Sequence, residues 1–145
     1  MRCAGCPLCA HPGGEPVFEG AKFRVIRTDE GGFPAFYRLV WTDHVAEFSD
    51  LSASDQLLCM EAVVRVEQCL RSHLQPAKVN LASLGNAVSH LHWHIVARFQ
   101  WDSHFPAPVW GGAQRQAPAH EMARVAALRP ALEAEMVRRL AACGG

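Results

Sequence analysis

The chain has 145 residues, half of them apolar, which suffices for one hydrophobic core and a single domain spanning residues 1–145. Its 14 Lys and Arg balance its 14 Asp and Glu, so no overall field holds a nucleic-acid backbone or an anionic membrane surface, and any anion must be gripped locally. No apolar run reaches the length of a membrane span, and Met1-Arg2-Cys3 leads into Cys, Gly and Pro rather than a secretory segment. The expectation is a cytoplasmic protein, without nucleic-acid or membrane partners, whose six cysteines are reduced.

Residues 5–14 are rich in Pro, Gly, Cys and His, a loop that something other than an apolar core must organise. Within it, Cys6-Pro-Leu-Cys9 places two thiols at the spacing of a zinc knuckle. Cys3 repeats that spacing and His11 is a further donor, so residues 1–14 leave the ligand set open. A redox pair and metal-free thiols are the rival readings; the redox pair lacks the following helix that would lower a thiol pKa, because Pro12-Gly13-Gly14 comes next.

Residues 22–28 and 35–41 read as two strands of an antiparallel hairpin, with Asp29-Glu30-Gly31-Gly32 as the turn. Ser52 to Asp55 supplies cap oxygens to a helix whose apolar positions recur every three or four residues from Leu57 to Leu70, ending near Pro76. Residues 79–84 and 90–99 predict two more strands around a Gly85-Asn86 turn. Residues 100–118, with three Pro, two Gly, Trp101 and Trp110, predict no regular structure; the aromatic side chains there either stack on a base or leaving group or seal the core and a subunit contact. Residues 122–140 are helical in composition, with Pro130 expected to kink the helix or begin a second one.

The chemistry concentrates in His90-Leu91-His92-Trp93-His94. An extended strand sends alternate side chains to opposite faces, so the three imidazoles form one row and Leu91, Trp93 and Ile95 face the core. A neutral imidazole whose other nitrogen is held by a carbonyl can displace a leaving group at phosphorus while its neighbours donate to the phosphoryl oxygens. The same row could instead bind a catalytic metal through three imidazoles.

The run His90-Leu-His92-Trp-His94-Ile-Val96 resembles the signature of the histidine-triad (HIT) nucleotidyl hydrolases and transferases, three histidines alternating with apolar residues. The resemblance extends to the early Cys-x-x-Cys, to the strand leading to His44 before the main helix, and to the segment from Asn80 to Gly85, about 110 residues in order. It implies an α+β fold, a five-stranded antiparallel sheet with one main helix and a C-terminal helix, commonly assembled as a homodimer. It implies that His92 attacks the α-phosphorus of a nucleotide, such as a dinucleoside polyphosphate or a nucleoside phosphoramidate, that His94 binds the α-phosphate, and that His90 completes the triad at residues 90–96. It also assigns Asp29 to ribose hydroxyls, assigns Asn80, Gly85, Asn86 and Val88 to the substrate, and makes Cys6, Cys9, His44 and His90 the ligands of a structural Zn²⁺, with no cofactor needed for catalysis. Two departures stand out. The family's Gly-Gln-Ser, whose Ser donates to the oxygen bridging to the leaving group, is here Gly85-Asn86-Ala87, and a family His eight residues before the His44 position is Phe36. They keep a catalytically weak nucleotide-binding module as the alternative function.

Overall fold

A computed structural model describes residues 1–143 of the chain. The elements in order are α1 (Pro7–Ala10), β1 (Glu15–Glu19), β2 (Phe23–Glu30), β3 (Phe33–Trp41), a single 3₁₀ turn (Phe48–Asp50), α2 (Ala53–Leu74), β4 (Lys78–Ala82), β5 (His92–Arg98) and α3 (Ala119–Ala141). The strands form one sheet in the order β1-β2-β3-β5-β4, with every neighbouring pair antiparallel. This is the expected α+β architecture.

The period of two along the strands divides the molecule. Phe23 and Val25 of β2, Tyr37, Leu39 and Trp41 of β3, and Ile95 and Ala97 of β5 all face α2 and α3, where they meet Val63, Val66, Leu70, Leu132, Met136 and Leu140 in one buried core. Residues of the opposite parity form two small clusters on the other face, Ile26 and Val40 against Cys6, Leu8 and Cys9, and Phe36 and Val96 against Val109; Phe33 joins the second cluster out of parity, next to the register irregularity between Thr28 and Glu30. Leu91 and Ile95 are buried on the helix side as the alternation requires, and Trp93 packs beside them. His92 and His94 are therefore left on the face that carries no long helix.

Several elements differ from expectation for local reasons. β1 was not foreseen; it is a five-residue edge strand containing Pro16, with a register irregularity between Pro16 and Phe18, too short to display alternation. The hairpin turn is narrower than predicted because β2 extends to Glu30 and β3 starts at Phe33. Gly32 there has φ +84°, and a Cβ on it would lie 2.1 Å from Ser103 Oγ, so neither the backbone nor the space admits a side chain. α2 starts where Ser52 accepts a hydrogen bond from the Asp55 amide at 3.2 Å, and ends at Gln75 in the left-handed region just before Pro76. α3 runs without a break through Pro130. Pro130 and Ala126, whose carbonyl loses its helical partner, are both exposed, so the cost of the missing bond is small, while Val125 on one side and Leu132 on the other anchor both halves in the core. Among the described residues no helix is long and apolar enough to cross a membrane.

Candidate functional site

β5 begins at His92, two residues later than the sequence suggests, and this separates the three histidines. His92 lies opposite Val40 and His94 opposite Arg38 on the central strand β3. Their rings are 5.1 Å apart at 75°. His90 precedes the strand, is 1% exposed, and turns its imidazole toward the N-terminal cysteines. The expected row of three is a facing pair plus a third ring with different partners, so a metal held by all three imidazoles is not formed.

Each ring's second nitrogen fixes what its first can do. His92 Nδ1 is 2.6 Å from the carbonyl oxygen of His90; a carbonyl only accepts, so Nδ1 carries the proton and Nε2 keeps a free lone pair. His94 Nδ1 lies 3.4 Å from Arg38 Nε, which only donates, so Nδ1 accepts and Nε2 bears the proton. Burial, then the Arg38 charge, then His92, hold the pKa of His94 down at about 4, so that it is a neutral donor at physiological pH. The pair therefore offers one lone pair and one N–H side by side, which suits attack at phosphorus with donation to its oxygens.

His90 uses its Nε2–H on the Trp41 carbonyl, 2.6 Å away, which leaves the Nδ1 lone pair directed at Cys6 Sγ (3.5 Å), Cys9 Sγ (3.4 Å) and His44 Nδ1 (3.3 Å). His44 Nδ1 is also 3.5 Å from Cys9 Sγ. Around a tetrahedral ion with Zn–S of ~2.3 Å and Zn–N of ~2.0 Å, neighbouring S and N sit roughly 3.5 Å apart and two N roughly 3.3 Å. The four donors thus have the chemistry and the spacing of a Cys₂His₂ zinc site, and the carbonyl bond at the far side of His90 fixes the ligating tautomer. Among the described residues this is the one group of three or more such side chains close enough to share an ion. Cys3 does not join through sulfur; its amide points to Cys9 Sγ at 3.3 Å, while His11 is exposed and gives its carbonyl to Arg24.

The segment predicted as a loop holds one helical turn, α1, and is clamped from outside. Arg24 on β2 donates to the carbonyls of Leu8, His11 and Pro12, and Arg2 to that of Cys9. The four-residue turn cannot hold itself, so these guanidinium bonds and the Ile26–Val40 cluster position the two thiols.

The predicted substrate residues are dispersed. Asp29 is 90% exposed and sits with Arg27, whose guanidinium reaches Glu133 of α3, on the helix side of the sheet. The acid on the histidine face is its neighbour Glu30, 3.8 Å from Arg38. The two neighbouring acids thus lie on different sides of the strand end, next to the register irregularity between Thr28 and Glu30. Asn80 on β4 gives its Oδ1 to the buried guanidinium of Arg98 at 2.8 Å. Gly85 adopts φ +83° in the loop before the triad, Asn86 is exposed, and Val88 packs against the Cys6–Cys9 cluster. Phe36, where the family has a His, meets His94 edge to face at 5.7 Å.

Residues 14–101, more than half of the chain, match the family model described as the HIT domain. The chain belongs to the HIT family. Its members are nucleotide-binding hydrolases and transferases. Among solved structures, a histidine triad protein from Bradyrhizobium japonicum is 30% identical with a TM-score of 0.67, over 82% of this chain and 90% of that one. A histidine triad protein from Marinobacter aquaeolei VT8 is 22% identical with a TM-score of 0.71, over 94% of this chain and all of that one (100%). A zinc-bound histidine triad family protein from Mycobacterium smegmatis shares the fold at 18% identity and a TM-score of 0.58, over 88% of this chain and 93% of that one. No curated protein matches the chain. In this HIT protein the signature histidines are divided between two settings, His92 facing His94 and His90 within the Cys₂His₂ cluster, whose cysteines lie ahead of the matched segment.

Proposed function

We propose that the protein is a nucleotidyl hydrolase or transferase that works through a covalent nucleotidyl intermediate on His92. The observation that carries this reading is the 2.6 Å bond from His92 Nδ1 to the His90 carbonyl, which makes Nε2 the lone-pair nitrogen of the neutral ring. In the first step the Nε2 lone pair attacks the α-phosphorus of a dinucleoside polyphosphate, a nucleoside phosphoramidate or a similar nucleotide. The bond from phosphorus to the leaving group breaks, and that group departs with the bonding pair and takes up a proton. His94 Nε2–H donates to a phosphoryl oxygen as charge gathers there. In the second step water attacks phosphorus, the P–N bond returns its electron pair to Nε2, and the nucleoside monophosphate leaves with the water oxygen, the displaced proton passing to solvent. Asn80, Gly85, Asn86 and Val88 lie on or beside the strand and loop that approach this face, and are assigned to substrate positioning.

Cys6, Cys9, His44 and His90 would hold a Zn²⁺ whose contribution is structural: it joins the N-terminus to the point where the chain enters β5 and so sets the position of the His90 carbonyl. Pairing into a homodimer is supported by apolar side chains left outside the core next to the unpaired edge of β4. Leu81 (40% exposed) lies on that edge strand and Leu84 (50%) just after it, and Leu57 (74%) and Val64 (43%) of α2 are likewise exposed.

The test is a rapid-quench reaction with a nucleotide radiolabelled at its α-phosphorus. The wild-type protein should trap an acid-labile, base-stable label, and His92→Ala and His92→Asn should trap none and lose several orders of magnitude in turnover. Near-normal turnover by His92→Ala, or a label on another residue, overturns the assignment.

A further inference from the structure

Arg38 is the one charged residue of the central strand β3 and the one position in that strand that is not buried. It lies on the catalytic face directly across from His94. Three contacts hold its guanidinium: Nε donates to His94 Nδ1 at 3.4 Å, Nη2 is 3.8 Å from Glu30 Oε1, and the central carbon sits 5.3 Å from the centroid of the Phe36 ring. Phe36 in turn packs against His94 edge to face. Arg38, Phe36 and His94 therefore form one packed unit, whereas the backbone supplies the orienting partner for the other two histidines.

We infer that Arg38 is a positioning residue of the proposed reaction, which locks His94 as the Nε2–H tautomer so that a neutral imidazole N–H faces the phosphoryl oxygens. The inference rests on the nucleotidyl-transfer reading only for its consequence; the lock itself is a property of the free protein. A free imidazole distributes its proton between the two nitrogens, and among the described residues Arg38 is the one hydrogen-bond partner of His94 Nδ1. Because a guanidinium has no acceptor, its Nε–H next to Nδ1 excludes the tautomer with a proton there. A lysine in the same place would keep the charge, but its ammonium sits at the end of a flexible stem and lacks the planar Nε–H at that depth. Phe36 fits this arrangement: its ring supports the flat face of the guanidinium and adds no second hydrogen-bonding group that would compete for His94. With Ala87 offering no hydroxyl, the His94 N–H carries a larger share of the donation to phosphate, and the site depends more on keeping that proton in place.

The experiment reads the tautomer and the kinetics separately. Two-bond proton–nitrogen correlation spectra of ¹⁵N-histidine-labelled protein at neutral pH, without substrate, should show His94 as a single Nε2–H species in the wild type. In Arg38→Met, and also in Arg38→Lys, both tautomers should appear, with the His92 Nδ1–H signal unchanged as evidence that the strand is intact. In the same variants kcat should fall roughly tenfold or more with KM within about twofold, the pattern of an interaction used in the transition state. A pure Nε2–H His94 in Arg38→Met, or an Nδ1–H His94 in the wild type, overturns the inference. Loss of turnover by every protein, wild type included, leaves the spectra to decide on Arg38 and counts against the nucleotidyl-transfer reading instead.

Discussion

The 99–118 segment has no regular structure, yet it is anchored as firmly as a core element, and Asp102→Ala should show how much that anchor contributes. Arg98 and Asp102 are 2% and 0% exposed and paired at 2.8 Å. The Asp102 carboxylate also accepts from the amides of Phe99 (3.0 Å), His104 (3.0 Å) and Phe105 (2.8 Å), while Arg98 also donates to Asn80 Oδ1 and to the Ala107 carbonyl. Burial alone would raise the Asp102 pKa, but the bonds from Arg98 and the three amides hold it below the usual carboxylate range, so the pair is ionised. Removing the carboxylate strands a buried guanidinium and three amides, which places the loss at about 3–5 kcal/mol. For a chain of this size that is a fall of ~10–15 °C in Tm. Urea titration followed by tryptophan fluorescence should give a lower midpoint at an unchanged slope. The double variant Arg98→Met/Asp102→Ala should recover part of the loss, because the unpaired charge is then gone and only the amides remain unsatisfied. A loss below ~1 kcal/mol in Asp102→Ala, the worth of an exposed pair, would refute the argument.

The purified protein should carry close to one zinc per chain, and Cys6→Ser or Cys9→Ser should lower both zinc content and Tm; metal-free protein of unchanged stability would sink that assignment. Sedimentation should give about twice 15.9 kDa, and Leu57→Glu with Leu81→Glu should shift the species toward monomer, whereas an active, concentration-independent monomer would contradict the proposed pairing. His94 is held near pKa 4 in the fold against an ordinary 6.5, so the unfolded chain binds its proton first as pH falls. Stability should therefore rise with pH between those two values and flatten above them. His94→Gln should remove ~1–2 kcal/mol of that rise, less than the full shift implies because the ring keeps some exposure, and equal slopes in variant and wild type would discount the effect.

Much of the fold was legible because its elements are strongly patterned. The Ser52 cap and the recurrence from Leu57 to Leu70 mark α2, and the β-branched and aromatic runs mark β2 and β3. β1 was not legible, since five residues with a proline at an edge take their conformation from pairing with β2 rather than from their own pattern. Within the site, Cys6, Cys9, His44 and His90 followed from the resemblance, and the fold brings their ligating atoms within 4.8 Å of one another. Arg38, Arg98 and Asp102 carried no sequence signal of their own. Arg38 and Arg98 act through partners on other strands, His94 and Asn80, which meet them only once the chain has folded, and Asp102 collects the amides of Phe99, His104 and Phe105 in a loop whose course no periodicity announces.

The three histidines show why spacing alone under-determines chemistry. Alternation places imidazoles near one face, but the role of each is set by what occupies its second nitrogen. The Trp41 carbonyl on Nε2 turns the Nδ1 lone pair of His90 toward Cys6, Cys9 and His44. The His90 carbonyl on Nδ1 gives His92 a free Nε2 lone pair, and the Arg38 guanidinium on Nδ1 makes His94 an N–H donor. The chain is thus serial: the cluster fixes His90, the backbone of His90 orients His92, and Arg38 across the strand orients the ring beside it. A change at Cys6 or Cys9 should therefore reach His92 through one carbonyl and leave the His94 tautomer alone, whereas a change at Arg38 should do the reverse. The same histidine spectra, recorded on Cys9→Ser and on Arg38→Met, would separate those two routes.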